Sequence, residues 1–229
     1  MFAPELVIET PGTVPYAEAW QLQKRYHREV AAGDRAPTLL LLEHPPTLTL
    51  GRSAKASSLL HATEHYQQLG WEVHEVERGG DVTYHGPGQL VGYPIVPLTV
   101  KVGDFLRELE QLLLNVVGQF GIVGRPSPGY AGVWVKHPAG YEAKLASIGI
   151  AVSQRVTYHG FALNVSTRLA DFDQIVPCGI SGVRMTSLAE MCNPAPTMAE
   201  VVARVASTIS PPGRGAGGEG AWSRRSPSF

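Results

Sequence analysis

Residues 132–165 read GVWVKHPAGYEAKLASIGIAVSQRVTYHGFALNV, and this stretch decides the fold class. Gly132–Lys136 is a short strand-like run, His137-Pro138-Ala139-Gly140 supplies a turn, and residues 143–152 resume the strand pattern, so the pair predicts a hairpin. Residues 157–165 predict a third strand. Upstream, a strand around residues 6–9 precedes a helix whose first turn carries Pro15 and Glu18 and which ends near Gly33. Residues 38–42 form a continuous apolar run and predict a buried strand, which Pro45-Pro46 separates by an extended turn from a second, Thr47–Leu50.

Residues 62–69 predict a short helix stopped by Gly70, while residues 71–76 and 89–96 read as strands. Phe105, Leu109, Leu112, Leu113, Val116, Val117 and Phe120 recur at helical spacing, which predicts a helix over residues 104–120 capped by Asp104. Two further helices are predicted over residues 186–191 and Met198–Ile209. Many strands with few helices on one side define an α/β chain of the α+β type, a mixed sheet with flanking helices. From Pro211 the composition turns to Gly, Pro, Ser and Arg, so one domain is expected over residues 1–210 and a disordered tail over residues 211–229.

At 229 residues and 44% hydrophobic content the chain suits one sizeable core. A net charge of −1 with scattered basic residues gives no footprint for nucleic acid. No apolar run approaches the roughly 20 residues of a membrane span. The start, Met1-Phe2-Ala3-Pro4-Glu5, lacks a basic stretch followed by an apolar one, so a soluble, cytoplasmic protein is expected. Cys178 and Cys192 fit no CxxC pattern, and among eight histidines only His61 and His65 have helical-pair spacing. No metal site is expected. Phosphate-binding loop, dinucleotide fingerprint and serine-hydrolase elbow are all missing.

Chemistry concentrates in three places. The run Arg78-Gly79-Gly80-Asp81-Val82-Thr83-Tyr84-His85-Gly86-Pro87-Gly88-Gln89-Leu90-Val91-Gly92-Tyr93-Pro94 holds five glycines and two prolines beside polar and titratable side chains. It reads as the wall of a binding site or as a glycine-rich turn between strands. Cys178, between Pro177 and Gly179, is either a presented thiol or a small buried residue; Cys192 fits the second description better. Lys144 shares a strand face with Ala146, Ile148, Ile150 and Val152 if alternation is strict, so its ammonium either snorkels from the strand end or sits desolvated in a cleft.

Taken jointly, these features and Glu43-His44-Pro45-Pro46-Thr47-Leu48-Thr49-Leu50-Gly51, Ser147-Ile148-Gly149, His159-Gly160-Phe161-Ala162 with Asn164, Pro177-Cys178-Gly179-Ile180 and Thr186-Ser187-Leu188 resemble the octanoyltransferases of lipoic acid synthesis, also called lipoate-protein ligase B. The resemblance implies a fold shared with the catalytic domains of biotin-protein and lipoate ligases. It implies ATP-independent transfer of an octanoyl group, without cofactor or metal, from octanoyl-acyl carrier protein to a lysine ε-amine. The acceptors it implies are lipoyl domains of 2-oxo acid dehydrogenases and the glycine cleavage H protein.

By the same resemblance Cys178 is the nucleophile that carries the acyl thioester, and Lys144 its acid/base partner. Arg78, Gly79, Gly80, Asp81, Val82, Thr83, Tyr84, His85, Ser147, Ile148, Gly149, Gly160, Phe161 and Ala162 match the substrate-binding segments. Gly79, Gly80 and the small Ala146 are expected to leave room for the acyl chain, while His85, His159 and Tyr93 either stand in the wall or are rings packed in the sheet with a hydrogen-bonded tip. The chemistry is self-consistent: thioester exchange followed by aminolysis runs downhill, and the attacking amine, of ordinary pKa near 10.4, needs a base. Two other readings stand beside this one: an ATP-dependent lipoate or biotin ligase, and a non-catalytic module that docks carrier proteins. The low-complexity tail departs from the family pattern.

Overall fold

The computed structural model describes residues 6–176 and 182–209, so the expected tail at 211–229 lies outside the described residues. In chain order the elements are β1 (Val7–Thr13), α1 (Tyr16–Ala32), β2 (Thr38–Glu43), β3 (Thr47–Leu50), α2 (Thr63–Gln68), β4 (Glu72–Glu75), β5 (Val82–His85), β6 (Gln89–Ile95), α3 (Val102–Gly118), β7 (Gly124–Arg125), β8 (Gly132–Lys136), β9 (Glu142–Ser153), β10 (Val156–Asn164), α4 (Leu188–Met191) and α5 (Met198–Ile209). A seven-stranded sheet runs β1-β2-β6-β10-β9-β8-β7, and a three-stranded sheet runs β4-β3-β5. Both are mixed: β1 pairs β2 in parallel and β3 pairs β4 in parallel, while the remaining ladders are antiparallel.

The unbroken apolar run of β2 explains the layering. Leu40 and Leu42 point to one face, where Val91, Tyr93, Ile95 and Ala162 meet Ala19, Tyr26 and Val30 of α1. Leu39 and Leu41 point to the other, packing with Leu90, Phe161 and Leu163 against Leu112, Leu113, Val116 and Val117 of α3 and Val201 and Val205 of α5. Helices therefore cover both faces, which corrects the one-sided arrangement expected from the sequence; a strand apolar at every position needs cover on both sides. The small sheet has its own cluster of Leu48, Tyr66, Trp71, Val82, Tyr84, Phe172 and Ile175.

Local signals explain most boundaries. Pro15 stands at the N-cap of α1, and Gly33, at φ 83°, closes it through its N–H to the carbonyls of Glu29 and Val30. Asp104 is not the cap of α3: Lys101 holds that place and Asp104 lies in the first turn, where its charge suits the helix dipole. The predicted helix over 186–191 shortens to α4, because Ser187 is extended at φ −135° and ψ 163° and Thr186 lies outside the helix, its N–H donating to the Lys144 carbonyl at 3.0 Å. Ser187 caps it, accepting from the Glu190 N–H. The β9–β10 turn uses Gln154 and Arg155 at positive φ, 47° and 57°, without the glycine that usually announces such a turn.

Candidate active site

Glycines weld the two sheets together along the run at residues 78–80. The Gly79 N–H donates to the Ile150 carbonyl of β9 at 2.9 Å. A Cβ on Gly149 would stand 2.8 Å from the Gly79 oxygen, and one on Gly51 only 2.3 Å from the Gly80 oxygen. Gly80 itself is at φ 87°, a conformation that side chains resist. Arg78 turns back onto β3, its Nη2 donating to the Thr49 carbonyl at 2.5 Å and its Nε to Thr49 Oγ1 at 3.1 Å.

Between the sheets lies a cavity of about 520 Å³, a volume typical of small-molecule sites. Arg78, Gly79, Gly80, Asp81, Val82, Thr83 and His85 line it, together with Lys144, Ser147, Ile148, Gly149, Gly160, Phe161 and Ala162. Tyr84 does not. Alternation along β5 sends its ring into the small-sheet cluster, where its hydroxyl donates to Asp171 at 2.7 Å. Ala146 is also elsewhere, fully buried in the core beneath α3. Cys178 lies outside the described residues, but the chain leading to it is held: Val176 N–H donates to the Ser58 carbonyl at 2.9 Å and Tyr66 Oη to the Gln174 carbonyl at 2.8 Å.

Strict alternation fails at Lys144. The β8–β9 register slips between Val133, opposite Ala146, and Trp134, opposite Lys144, so Leu145 is an extra residue in β9. Such a bulge re-aims side chains. Leu145 and Ala146 both enter the core, while Lys144, 2% exposed, lines the cavity with its ammonium 5.4 Å from the Trp134 ring centroid. Gly132 makes this possible, since a Cβ there would stand 3.0 Å from Lys144 Cε and 2.1 Å from the Ala146 oxygen. The Lys144 main chain is pinned from the other side too: its N–H donates to the Arg184 carbonyl at 2.8 Å.

The histidines in and beside the cavity are uncharged. Burial holds the His44 imidazole down to about 4, and burial with the nearby Arg78 guanidinium does the same for His159, also about 4. His85 is pushed well below its ordinary value by burial and by His44. His44 Nδ1 is 2.7 Å from the Val14 carbonyl, so it carries the proton and Nε2 accepts from the Tyr93 hydroxyl at 2.7 Å. His159 adopts φ 55°, its N–H donates to Gln23 Oε1 at 2.8 Å, and its buried Nδ1 has no partner. Apolar side chains line the cavity as well, among them Val102, Leu106, Ile150 and Phe161.

Tyr16, Val102, Leu106 and Tyr130 also line the cavity and went unread in the sequence. Val102 and Leu106 had a signal, being an apolar i, i+4 pair beside the main stripe of α3; Tyr16 and Tyr130 had none. For metals, the His61 and His65 rings are 4.2 Å apart, but among the described residues no group of three possible ligands forms. No described helix is long and apolar enough to cross a membrane.

Solved structures share this architecture. A bipartite lipoate protein ligase from Thermoplasma acidophilum superposes with a TM-score of 0.70 at 16% identity, covering 92% of this chain and 83% of that one. A lipoate-protein ligase A bound with ATP gives 0.71 at 14% identity, covering 90% and 83%. At these identities the likeness is one of fold. In sequence, residues 15–210 match the lipoyl protein ligase A/B catalytic domain. An octanoyltransferase of Rubrobacter xylanophilus is 49% identical over 181 residues, 78% of this chain and 80% of that protein. One of Chloroflexus aurantiacus is 43% identical over 208 residues, covering 89% and 92%. One of Deinococcus radiodurans is 50% identical over 183 residues, 77% of this chain, which spans only 54% of that longer relative. The chain belongs to the lipoyl protein ligase A/B catalytic-domain family, on its octanoyltransferase branch.

Proposed function

We propose that this protein is an octanoyltransferase of protein lipoylation, taking the acyl group from an acyl donor and delivering it to a lysine ε-amine of a lipoyl domain. In finer detail, the donor is octanoyl-acyl carrier protein and Cys178 carries the acyl group. The thiolate attacks the donor carbonyl, expels the carrier thiol and becomes an enzyme thioester; the acceptor amine then attacks that thioester, loses a proton and releases Cys178. Lys144 receives and returns the protons. The acceptors are lipoyl domains of 2-oxo acid dehydrogenases and the glycine cleavage H protein.

The observation that carries the reading is the placing of Lys144 by a bulge into a cavity that also gathers the glycine-rich wall and apolar side chains. Lysine is rarely so deeply buried without a task. The apolar lining suits an alkyl chain, worth roughly 0.8 kcal/mol per buried methylene. Octanoyltransferase relatives at 43% to 50% identity support the same reading.

The deciding experiment is incubation with octanoyl-acyl carrier protein without acceptor, followed by intact and peptide mass spectrometry. An octanoyl adduct on Cys178, formed without ATP, is expected. An active protein with Cys178 unmodified would overturn the covalent route, and a strict need for ATP would favour a ligase.

A further inference from the structure

His85 in the glycine-rich wall and the main chain of Lys144, which also lines the cavity, are linked through Gln89, Asn164 and Thr186 by buried hydrogen bonds. His85 Nδ1 is 2.7 Å from Gln89 Oε1. Gln89 Nε2 donates to the Tyr84 carbonyl at 3.1 Å and to Asn164 Oδ1 at 3.0 Å. Asn164 Nδ2 donates to the Thr186 carbonyl at 3.0 Å, and the Thr186 N–H donates to the Lys144 carbonyl at 3.0 Å. Gln89 and Asn164 are direct cross-strand partners on β6 and β10, each 1% exposed.

The polarity of this run has one solution. Main-chain carbonyls can only accept, and one stands beside each amide. The Tyr84 carbonyl therefore requires the Gln89 NH₂ on its side, which turns Gln89 Oε1 to His85. The Thr186 carbonyl requires the Asn164 NH₂, which turns Asn164 Oδ1 to Gln89. Gln89 Oε1 in turn accepts only from a protonated Nδ1.

We infer that Gln89 and Asn164 are a positioning relay: they hold His85 as its Nδ1–H tautomer, with Nε2 left as a hydrogen-bond acceptor for an N–H group of the substrate, and they fix the 184–186 segment against Lys144. The inference rests on the acyl-transfer reading for its catalytic meaning, though the tautomer does not. Two substrate groups carry a suitable N–H, the acceptor amine and the amides of a carrier-bound pantetheine arm. Separate measurement of acyl-enzyme formation and of transfer to the acceptor tells them apart.

Nitrogen-15 NMR of the histidine rings in the full-length protein reads the tautomer directly. His85 is expected with its proton on Nδ1, and a proton on Nε2 would overturn the relay. Gln89→Met, which removes the acceptor, should give a mixture of tautomers; an unchanged ring spectrum in the folded variant would count against the relay. Asn164→Asp keeps the Gln89 contact and removes the donor to Thr186. It should lower kcat by about 10-fold to 100-fold while KM for octanoyl-acyl carrier protein stays within about twofold.

Wild-type kcat in folded Asn164→Asp would remove the Lys144 end of the relay. If either variant fails to fold, the wild-type ring spectrum decides alone. Lys144→Ala run in parallel separates the two ideas: full activity there would sink the acyl-transfer role of Lys144 and leave the tautomer result standing.

Discussion

The Tyr84 hydroxyl donates to the Asp171 carboxylate at 2.7 Å, tying a strand of the cavity wall to the turn that leads toward Cys178. Tyr84 thus stands behind the wall, between Trp71 and Phe172, with its pKa raised by burial and by the hydrogen bond to Asp171. Tyr84→Phe should cost about 1 to 2 kcal/mol, a fall of roughly 2–8 °C in melting temperature. KM for the acyl donor should stay unchanged. Calorimetry and steady-state kinetics check this, and a raised KM with unchanged stability would return Tyr84 to the binding surface.

Lys144→Met preserves the stem and removes the ammonium. Octanoyl transfer should fall by about 100-fold or more, the scale of a lost acid/base group, with the circular dichroism spectrum intact. A rate within a few-fold of wild type would take Lys144 out of the reaction.

Gly149→Ala should separate the sheets where the glycine-rich run meets β9. The added methyl would stand 2.8 Å from the Gly79 carbonyl, and backbone cannot swing aside as a side-chain tip can. A loss of about 1–3 kcal/mol is expected, together with a marked fall in octanoyl transfer, measured by denaturant unfolding and by assay. Unaltered stability would show that the glycine-rich run yields without cost.

Stability should fall on acidification. His44 and His159 are each held at about 4 in the folded protein and His85 is also lowered, against about 6.5 in an unfolded chain. Between those values the unfolded chain binds protons that the folded one does not, so the contribution present above pH 6.5 is lost as pH drops toward 4. Each histidine adds a slope of up to about 1.4 kcal/mol per pH unit. Urea titrations across this range measure it, and a flat profile would mean that the rings are charged when folded.

Much of this was legible in the residues themselves. Thr47–Leu50, Gly132–Lys136 and Met198–Ile209 have the limits expected of them, because turn residues or helical stripes mark their ends. The glycine-rich run reads as a wall because close backbone approach demands glycine. The bulge at Leu145 was hidden, since it depends on the pairing of another strand, Gly132–Lys136, and alternation within one strand cannot register it. Tyr84 was assigned to the cavity with its neighbours because a motif marks a segment, whereas a strand divides that segment between two faces. The unbroken run Leu39-Leu40-Leu41-Leu42 carried the signal for cover on both sides, and the one-sided arrangement expected from the few helices overlooked it.

The extra residue at Leu145 has a consequence for evolution and for engineering alike. In a regular strand Lys144 and Ala146 would share a side, and the cation would be driven into the hydrocarbon packed beneath α3. Deleting Leu145 would make Lys144 and Ala146 adjacent and leave them on opposite sides, as they now are, so the charge would keep its place and the core would lose one leucine. The bulge is what lets two consecutive residues of one strand enter the hydrocarbon while the residue before them turns a charge toward the cavity.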